Sequence, residues 1–410
     1  MLAIDGGEKI RKIPFPRRHL LGEEEKQAAV SLFDQAIESG NAFGYGGPEE
    51  QAYEQEFAEY MGGGYADLVN SGTSALYTAL GALELDVAGE VIVPVISDHG
   101  GVMPVALLNQ VPVPADTQPG SYNIGPKQIE AVLTPHTRAI VVAHISGEPV
   151  DMDPVLELAR QRGIPVVEDC AQAHGATHTG RLVGTMGTAG IFSTMSGKHH
   201  ATAAQGGVVF TQDEDLYWRI KRFSDRCKPF NTDATSNLRA GLNLNGNDLS
   251  AAVGRVQLRK LPAITQKRQQ VAHGIREGIA HLQAISVGWQ VPNTESVYWF
   301  MRIHVDASRL TADKNKVAAA ISAEGIPLSV YYGRIISDTT WFRERNVFGA
   351  SDYPWGLEEY KGDRNAQFPC PNAVEARETH FALRIHEGWG EQEVEDTAKA
   401  FEKIEHAYLK

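Results

Sequence analysis

The chain has 410 residues, 42% of them hydrophobic and 22% charged; this balance fits a globular protein with a large core and excludes a disordered one. Its formal net charge of −13 argues against a nucleic-acid partner, because phosphate backbones are bound by clustered lysine and arginine. Cys170, Cys227 and Cys370 are too scattered for a metal pair or a disulfide framework, and no apolar run approaches the roughly 20 residues that span a bilayer. With no apolar secretory stretch in its first residues either, the chain is expected in the cytoplasm, away from membranes.

From Gly22 to Ser39 the residues Ala28, Val30, Leu32, Phe33, Ala36 and Ile37 recur at helical spacing, and Gly40 supplies a stop. Short β-rich runs then appear at Glu90–Pro94, Arg138–His144, Pro165–Asp169 and Gly207–Phe210. Between two of them Met152–Arg162 reads as a helix ending at Gly163, so the first half is predicted to be α/β, with βαβ crossovers and a mainly parallel sheet. A charged helical run from Val256 to Leu282 reads as a connector. After it come a strand from Tyr298 to Val305, a helix over Ala312–Glu324, a strand over Leu328–Tyr332, a long irregular stretch and a final helix from Glu391, which together predict a small α+β domain. The division expected is an N-terminal arm (1–20), a large domain (21–265) and a small domain (266–410).

Four segments carry polar groups where chemistry would use them. Asn70-Ser-Gly-Thr-Ser-Ala-Leu ends a strand-like run and opens a helix, where unpaired N–H groups suit a phosphate, although a plain Ser/Thr cap gives the same pattern. Val166-Val-Glu-Asp-Cys-Ala-Gln places Asp169 at the carboxyl end of a buried strand, the edge at which open parallel sheets bind ligands; capping a turn is the other reading. Ile191-Phe-Ser-Thr-Met-Ser-Gly-Lys sets Lys198 after an apolar strand among small residues, where burial lowers an amine's pKa and makes it a nucleophile and proton carrier. Gly241-Leu-Asn-Leu-Asn-Gly-Asn-Asp reads as a loop before a helix that starts near Asp248. The histidine pairs 199/200 and 174/178 lack further ligands at metal-site spacing, so no metal is expected.

In this order the segments resemble the DegT/StrS-type sugar aminotransferases of the fold-type-I pyridoxal-phosphate enzymes. The likeness covers nearly the whole chain, through Leu2-Ala-Ile-Asp-Gly-Gly-Glu-Lys-Ile-Arg11, Gly72–Leu76, Asp169-Cys-Ala-Gln-Ala-His-Gly and Phe192-Ser193 to Lys198. It implies an α/β large domain with a mainly parallel seven-stranded sheet flanked by helices, plus the small C-terminal domain. It also implies pyridoxal 5'-phosphate held as a Schiff base on Lys198, with Asp169 on the ring nitrogen and Gln172 near the ring hydroxyl. Gly72, Thr73 and Ser193 would hold the phosphate. Asn243 would reach the phosphate across a subunit boundary, so a homodimer with shared active sites is implied.

Three positions depart from the family pattern. Asp98 stands where an aromatic residue stacks on the cofactor ring, with His99 beside it; Gln205-Gly206-Gly207 replaces Glu-Gly-Gly; and Asn245 replaces an arginine. Candidate substrate-facing residues are His99, His144, His199, Lys228, Tyr331 and Tyr332. The resemblance implies transfer of an amino group from glutamate or glutamine to a keto-sugar, ketocyclitol or related cyclic ketone, with Lys198 moving the proton. Two other readings stay open: a non-transaminating relative, either an aromatising synthase or a dehydratase, whose members carry histidine in place of the lysine, and a catalytically silent sensor on the same fold.

Overall fold

Valine, isoleucine and alanine fill the short β-rich runs without polar alternation, as strands covered on both faces require. In the computed structural model, which describes residues 1–410, seven such runs form one sheet. They are β1 (Tyr65–Val69), β2 (Glu90–Pro94), β3 (Val111–Ala115), β4 (Thr137–Ala143), β5 (Val166–Asp169), β6 (Ala189–Ser193) and β7 (Gly207–Thr211). Their order is β1-β7-β6-β5-β4-β2-β3. The pairs among β2 to β6 are parallel, whereas β7 runs antiparallel to both β1 and β6. This hairpin return sets Gly207 opposite Ser193 and Val69, so three strand ends meet at one edge.

Alternate residues of each strand point to opposite faces, and each face acquires its own helical cover. On one side Val91, Val93, Val141, Val167, Ile191 and Val209 pack with Ala75, Leu76 and Leu80 of the helix Gly72–Ala82. On the other, Phe192, Val208 and Phe210 meet Tyr53 and Phe57 together with Leu258 and Leu261, and Ile92, Ile140 and Val142 meet Val155 and Ala159. The helices read from sequence at Gly22–Ser39 and Met152–Arg162 are present at Glu23–Ser39 and Met152–Arg162.

One long helix, Asp248–Gly278, begins at the start expected near Asp248 and runs on through the charged stretch read as a connector; the Asn247 side chain accepts from the Ser250 N–H and caps it. Its first half contributes Ala251, Leu258 and Leu261 to the core beneath the large sheet. Its second half gives Val271, Ala272 and Ile275 to a separate core. That second core is covered by an antiparallel sheet of Ile285–Val287, Met301–Val305, His380–Leu383 and Leu328–Ser329 in that spatial order, and it also receives Phe401 and Ile404 from the helix Glu391–Tyr408.

Two strands are shorter than their sequence patterns indicated. The strand expected from Tyr298 begins only at Met301, because the N–H groups of Val297 and Trp299 donate to Gly147 O at 3.0 Å and Ser146 O at 2.8 Å instead of to a sheet. The strand expected over Leu328–Tyr332 stops at Ser329. The fully buried Arg302 joins the two sheets, its Nε donating to Glu148 Oε2 and its Nη1 to Gly120 O, both at 2.8 Å. No helix is long and apolar enough to cross a membrane.

A buried charge cluster offers a direct test of the packing around β1. Lys221 Nζ, on the helix Glu214–Ser224, lies 2.7 Å from both Glu54 Oε1 and Asp67 Oδ1. Burial works against its charge, yet the two carboxylates hold its pKa well above the ordinary lysine value. Lys221→Met leaves two buried carboxylates uncompensated and is expected to cost about 3 kcal/mol in urea unfolding. Adding Glu54→Gln and Asp67→Asn should recover much of that loss.

Candidate active site

Where β1 ends, Ser71 caps the next helix: its Oγ accepts from the Ser74 N–H at 3.1 Å, and Ser74 Oγ donates to Asn70 Oδ1 at 2.6 Å. The N–H groups of Gly72 and Thr73 then stand at the front of the helix without an intrahelical acceptor. Only glycine fits at 72, because a Cβ there would lie 2.6 Å from Ser193 Cβ. The serine that ends β6 is thereby set against the helix start, and the three form a polar cup of the type that binds anions.

Asp169 ends the neighbouring strand β5 and is only 8% exposed. Its Oδ1 accepts from the Ala171 N–H at 3.0 Å, while Oδ2 has no hydrogen-bond partner. Burial raises its pKa, against the pull of the Ala171 N–H and the Lys198 charge. Gln172 is fixed at both ends: Oε1 accepts from the Ser146 N–H at 2.8 Å and Nε2 donates to the Tyr332 hydroxyl. Gly147, at φ 85°, lets this turn approach the segment around Tyr298, since a Cβ would meet Tyr298 N at 2.7 Å.

Between β6 and β7 the chain forms a tight loop closed by Thr194 and Thr202, whose Oγ1 atoms are 2.6 Å apart. Lys198 sits in this loop, 8% exposed, and its amine makes neither an ion pair nor a hydrogen bond. Its Nζ lies 4.1 Å from the centroid of the Trp299 ring. Burial lowers its pKa to about 8, with Asp169 and Asp98 acting in the opposite direction. The carbonyls flanking Lys198 are gripped from outside the loop. Gly197 O accepts from Trp299 Nε1 at 3.0 Å and from Arg18 at 3.2 Å, and His199 O accepts from Arg18 at 3.1 Å.

Gly72, Thr73, Ser193, Asp169, Gln172, Lys198 and Tyr332 are thus assembled at one sheet edge. Asp98 is exposed, with Oδ1 accepting from the Gly100 N–H at 2.9 Å. His99 faces the Trp341 indole N–H through Nδ1 at 3.2 Å. Several other candidates are committed elsewhere. His144 is fully buried; its Nδ1 accepts from the Val150 N–H at 2.9 Å, so Nε2 carries the proton directed at Glu168, 3.2 Å away. His199 is fully buried, with Nε2 3.1 Å from Val297 O. Lys228 pairs with Asp225 at 2.6 Å, and the exposed Tyr331 donates to Glu378 at 3.2 Å. Asn243 lies on an exposed loop and accepts from Asn245 Nδ2 at 2.8 Å.

His144, Glu168 and Cys170 hold potential ligand atoms within 4.8 Å of one another. The Glu168 carboxylate already accepts three backbone N–H bonds, from Gly184, Met186 and Gly187, besides that of His144, so the cluster is a buried hydrogen-bond knot. Sequence patterning does not single out Trp299 or Trp341. Trp299 stands in an aromatic triplet, Tyr298-Trp299-Phe300, that looks like the opening of a strand, and nothing local tells that it folds back over a lysine about a hundred positions earlier.

Comparisons with known proteins identify the family and the fold. The family model described as the DegT/DnrJ/EryC1/StrS aminotransferase family matches residues 23–401. An aminotransferase from Psychrobacter cryohalolentis is similar at 27% identity over 96% of this chain and 99% of its own, with a TM-score of 0.84. DesV of S. venezuelae, solved in complex with a ketimine intermediate, is 26% identical over 96% of this chain and 98% of its own, with a TM-score of 0.81. 3-Amino-5-hydroxybenzoic acid synthase is 25% identical over 97% of this chain and 100% of its own, also with a TM-score of 0.81. A family match over nearly the full length, on a fold whose strand ends gather an anion cup, a buried acid and a buried amine, places the chain: it belongs to the DegT/DnrJ/EryC1/StrS aminotransferase family.

Proposed function

We propose that the protein uses pyridoxal 5'-phosphate at this edge to move an amino group from glutamate or glutamine to a keto-sugar, ketocyclitol or related cyclic ketone. The observation that carries the reading is an unpaired buried amine, Lys198 Nζ, gathered with a carboxylate oxygen that lacks a partner and a helix start with free N–H groups. These unspent groups match the aldehyde, the ring nitrogen and the phosphate of that cofactor. When bound, pyridoxal phosphate supplies a ring that accepts electron density from the carbon whose proton is moved.

The residues of the chain do the rest. Gly72 and Thr73 N–H and Ser193 Oγ would hold the phosphate, and Asp169 would hold the ring nitrogen through a charge-assisted bond that offsets the cost of burying the carboxylate. Lys198, with its pKa near about 8, switches between neutral base and ammonium acid around neutral pH and so carries the proton between carbon atoms. Gln172 and Tyr332, bonded to each other, would form a fixed wall of the cofactor site. His199 has its Nε2 turned to Val297 O, which gives no support to a dehydratase reading in which a histidine replaces the lysine. Asn243 and the exposed Leu238 and Leu242 near it, with Phe33 and Ile37 also uncovered, support a homodimer in which Asn243 reaches the partner's phosphate cup. The ketimine intermediate bound in DesV and the amino-substituted ring named for 3-amino-5-hydroxybenzoic acid synthase support amino transfer to a cyclic carbonyl compound.

Lys198→Ala should still take up the cofactor but form no link that borohydride can fix, and should lose turnover. An alanine variant that keeps turning over, or a wild-type protein that converts no amino donor to its keto acid, sinks the proposal. Covalent reattachment of cofactor to the apoprotein should speed up roughly tenfold per pH unit below about 8 and level off above it, because only the neutral amine attacks. Stopped-flow absorbance across pH 6 to 10 checks this. Asp169→Asn removes the charge-assisted bond and is expected to lower kcat/KM by roughly 10 to 100-fold, measured with saturating cofactor.

A further inference from the structure

The Lys198 amine is buried, yet no carboxylate stands within ion-pair distance of it and no oxygen accepts from it. A buried ammonium without a partner is costly, so whatever lies against it has to supply compensation. Asp169 and Asp98 favour its charge only from beyond ion-pair distance; the group in direct contact with it is the indole of Trp299, whose ring centre is 4.1 Å from Nζ. An indole face carries the negative end of the ring quadrupole and attracts a cation at that distance.

The same ring is anchored so that it cannot swing away freely. Its Nε1–H donates to Gly197 O at 3.0 Å, one residue before the lysine, and its backbone N–H donates to Ser146 O at 2.8 Å. The ring also meets Tyr332 edge-on, with centroids 5.9 Å apart, and Tyr332 in turn is bonded to Gln172. Trp299 therefore connects the lysine loop, the turn beneath Gln172 and the aromatic wall of the second domain.

A lysine that bonds a cofactor and then releases it spends part of each turnover as a free amine on a long flexible stem. We infer that Trp299 is a positioning residue that receives the released Lys198 ammonium on its indole face and keeps it within reach of the substrate carbon. The inference rests on Lys198 being the cofactor-bearing amine. The pairing itself is a property of the apoprotein and can be measured without cofactor or donor.

The test is the pH dependence of trace acetylation of Lys198 in the apoprotein, read by peptide mass spectrometry against an internal standard, for wild type, Trp299→Phe and Trp299→Leu. Wild type should titrate near about 8. Trp299→Leu keeps the site apolar but removes the ring, so its midpoint should fall by roughly half a unit to one unit. Trp299→Phe keeps a ring face and should fall by clearly less. A leucine midpoint equal to or above wild type, or a phenylalanine midpoint as low as that of leucine, overturns the inference. Should Trp299→Leu not fold, wild type produced with singly and multiply fluorinated tryptophan replaces it. The midpoint should then drop stepwise as fluorine weakens the ring quadrupole, and a flat series overturns the inference. The Lys198→Ala reconstitution tests the transaminase reading separately, so the two can fail independently.

Discussion

Burial of the Lys198 amine with no carboxylate in ion-pair contact is the constraint around which the rest of this structure is arranged. A lysine in water is protonated and inert as a nucleophile; one held inside the protein has its pKa pulled to about 8. To keep it there the fold must close a loop between two strands, block its retreat to solvent and give its backbone fixed partners. The antiparallel return of β7 does the first, placing Gly207 opposite Ser193 and confining residues 194–206 to a short hairpin connection. Arg18 and Trp299 do the others, by gripping the carbonyls on either side of the lysine.

That grip depends on contacts far from the strand edge. Glu387 accepts from Arg18 Nε at 2.7 Å and from Arg268 Nε at 2.8 Å, so one carboxylate from the C-terminal part links the arm to the long helix. Arg268 continues to the carbonyls of Tyr298 and Ile385, at 2.7 and 3.2 Å. Burial lowers the pKa of this guanidinium to about 10, with Glu387 opposing the shift. Together with the Arg302–Glu148 pair, this network sets the smaller antiparallel sheet against the large one closely enough for a side chain at 299 to act on an amine at 198.

Asp98 gives the site a different electrostatic character from one with an aromatic residue at that place. Its carboxylate adds to the field at both Lys198 and Asp169, favouring the charged lysine and the protonated acid. A ring there would contribute area and no net charge. The surface above the strand ends is therefore acidic at Asp98 and aromatic at Trp299 and Tyr332.

Local sequence determined what local physics controls. The β-branched runs, the Ser71 cap, the glycine stop at 163 and the acid at the end of β5 all follow from dihedral preference, capping and burial within a few residues, and Asp169 and Lys198 stood out for that reason. The direction of β7 was not legible, because a buried strand shows the same apolar run whichever way it points. Nor was the fate of the histidines: His144 and His199 look like site residues in sequence, but tertiary packing spends them on Glu168, Val150 and Val297. The partner of Lys198 was decided by tertiary structure alone. Trp299 reaches it only because Val297 and Trp299 give their N–H groups to the 146–147 turn instead of to a sheet, a choice made by residues about 150 positions apart that no local pattern can encode.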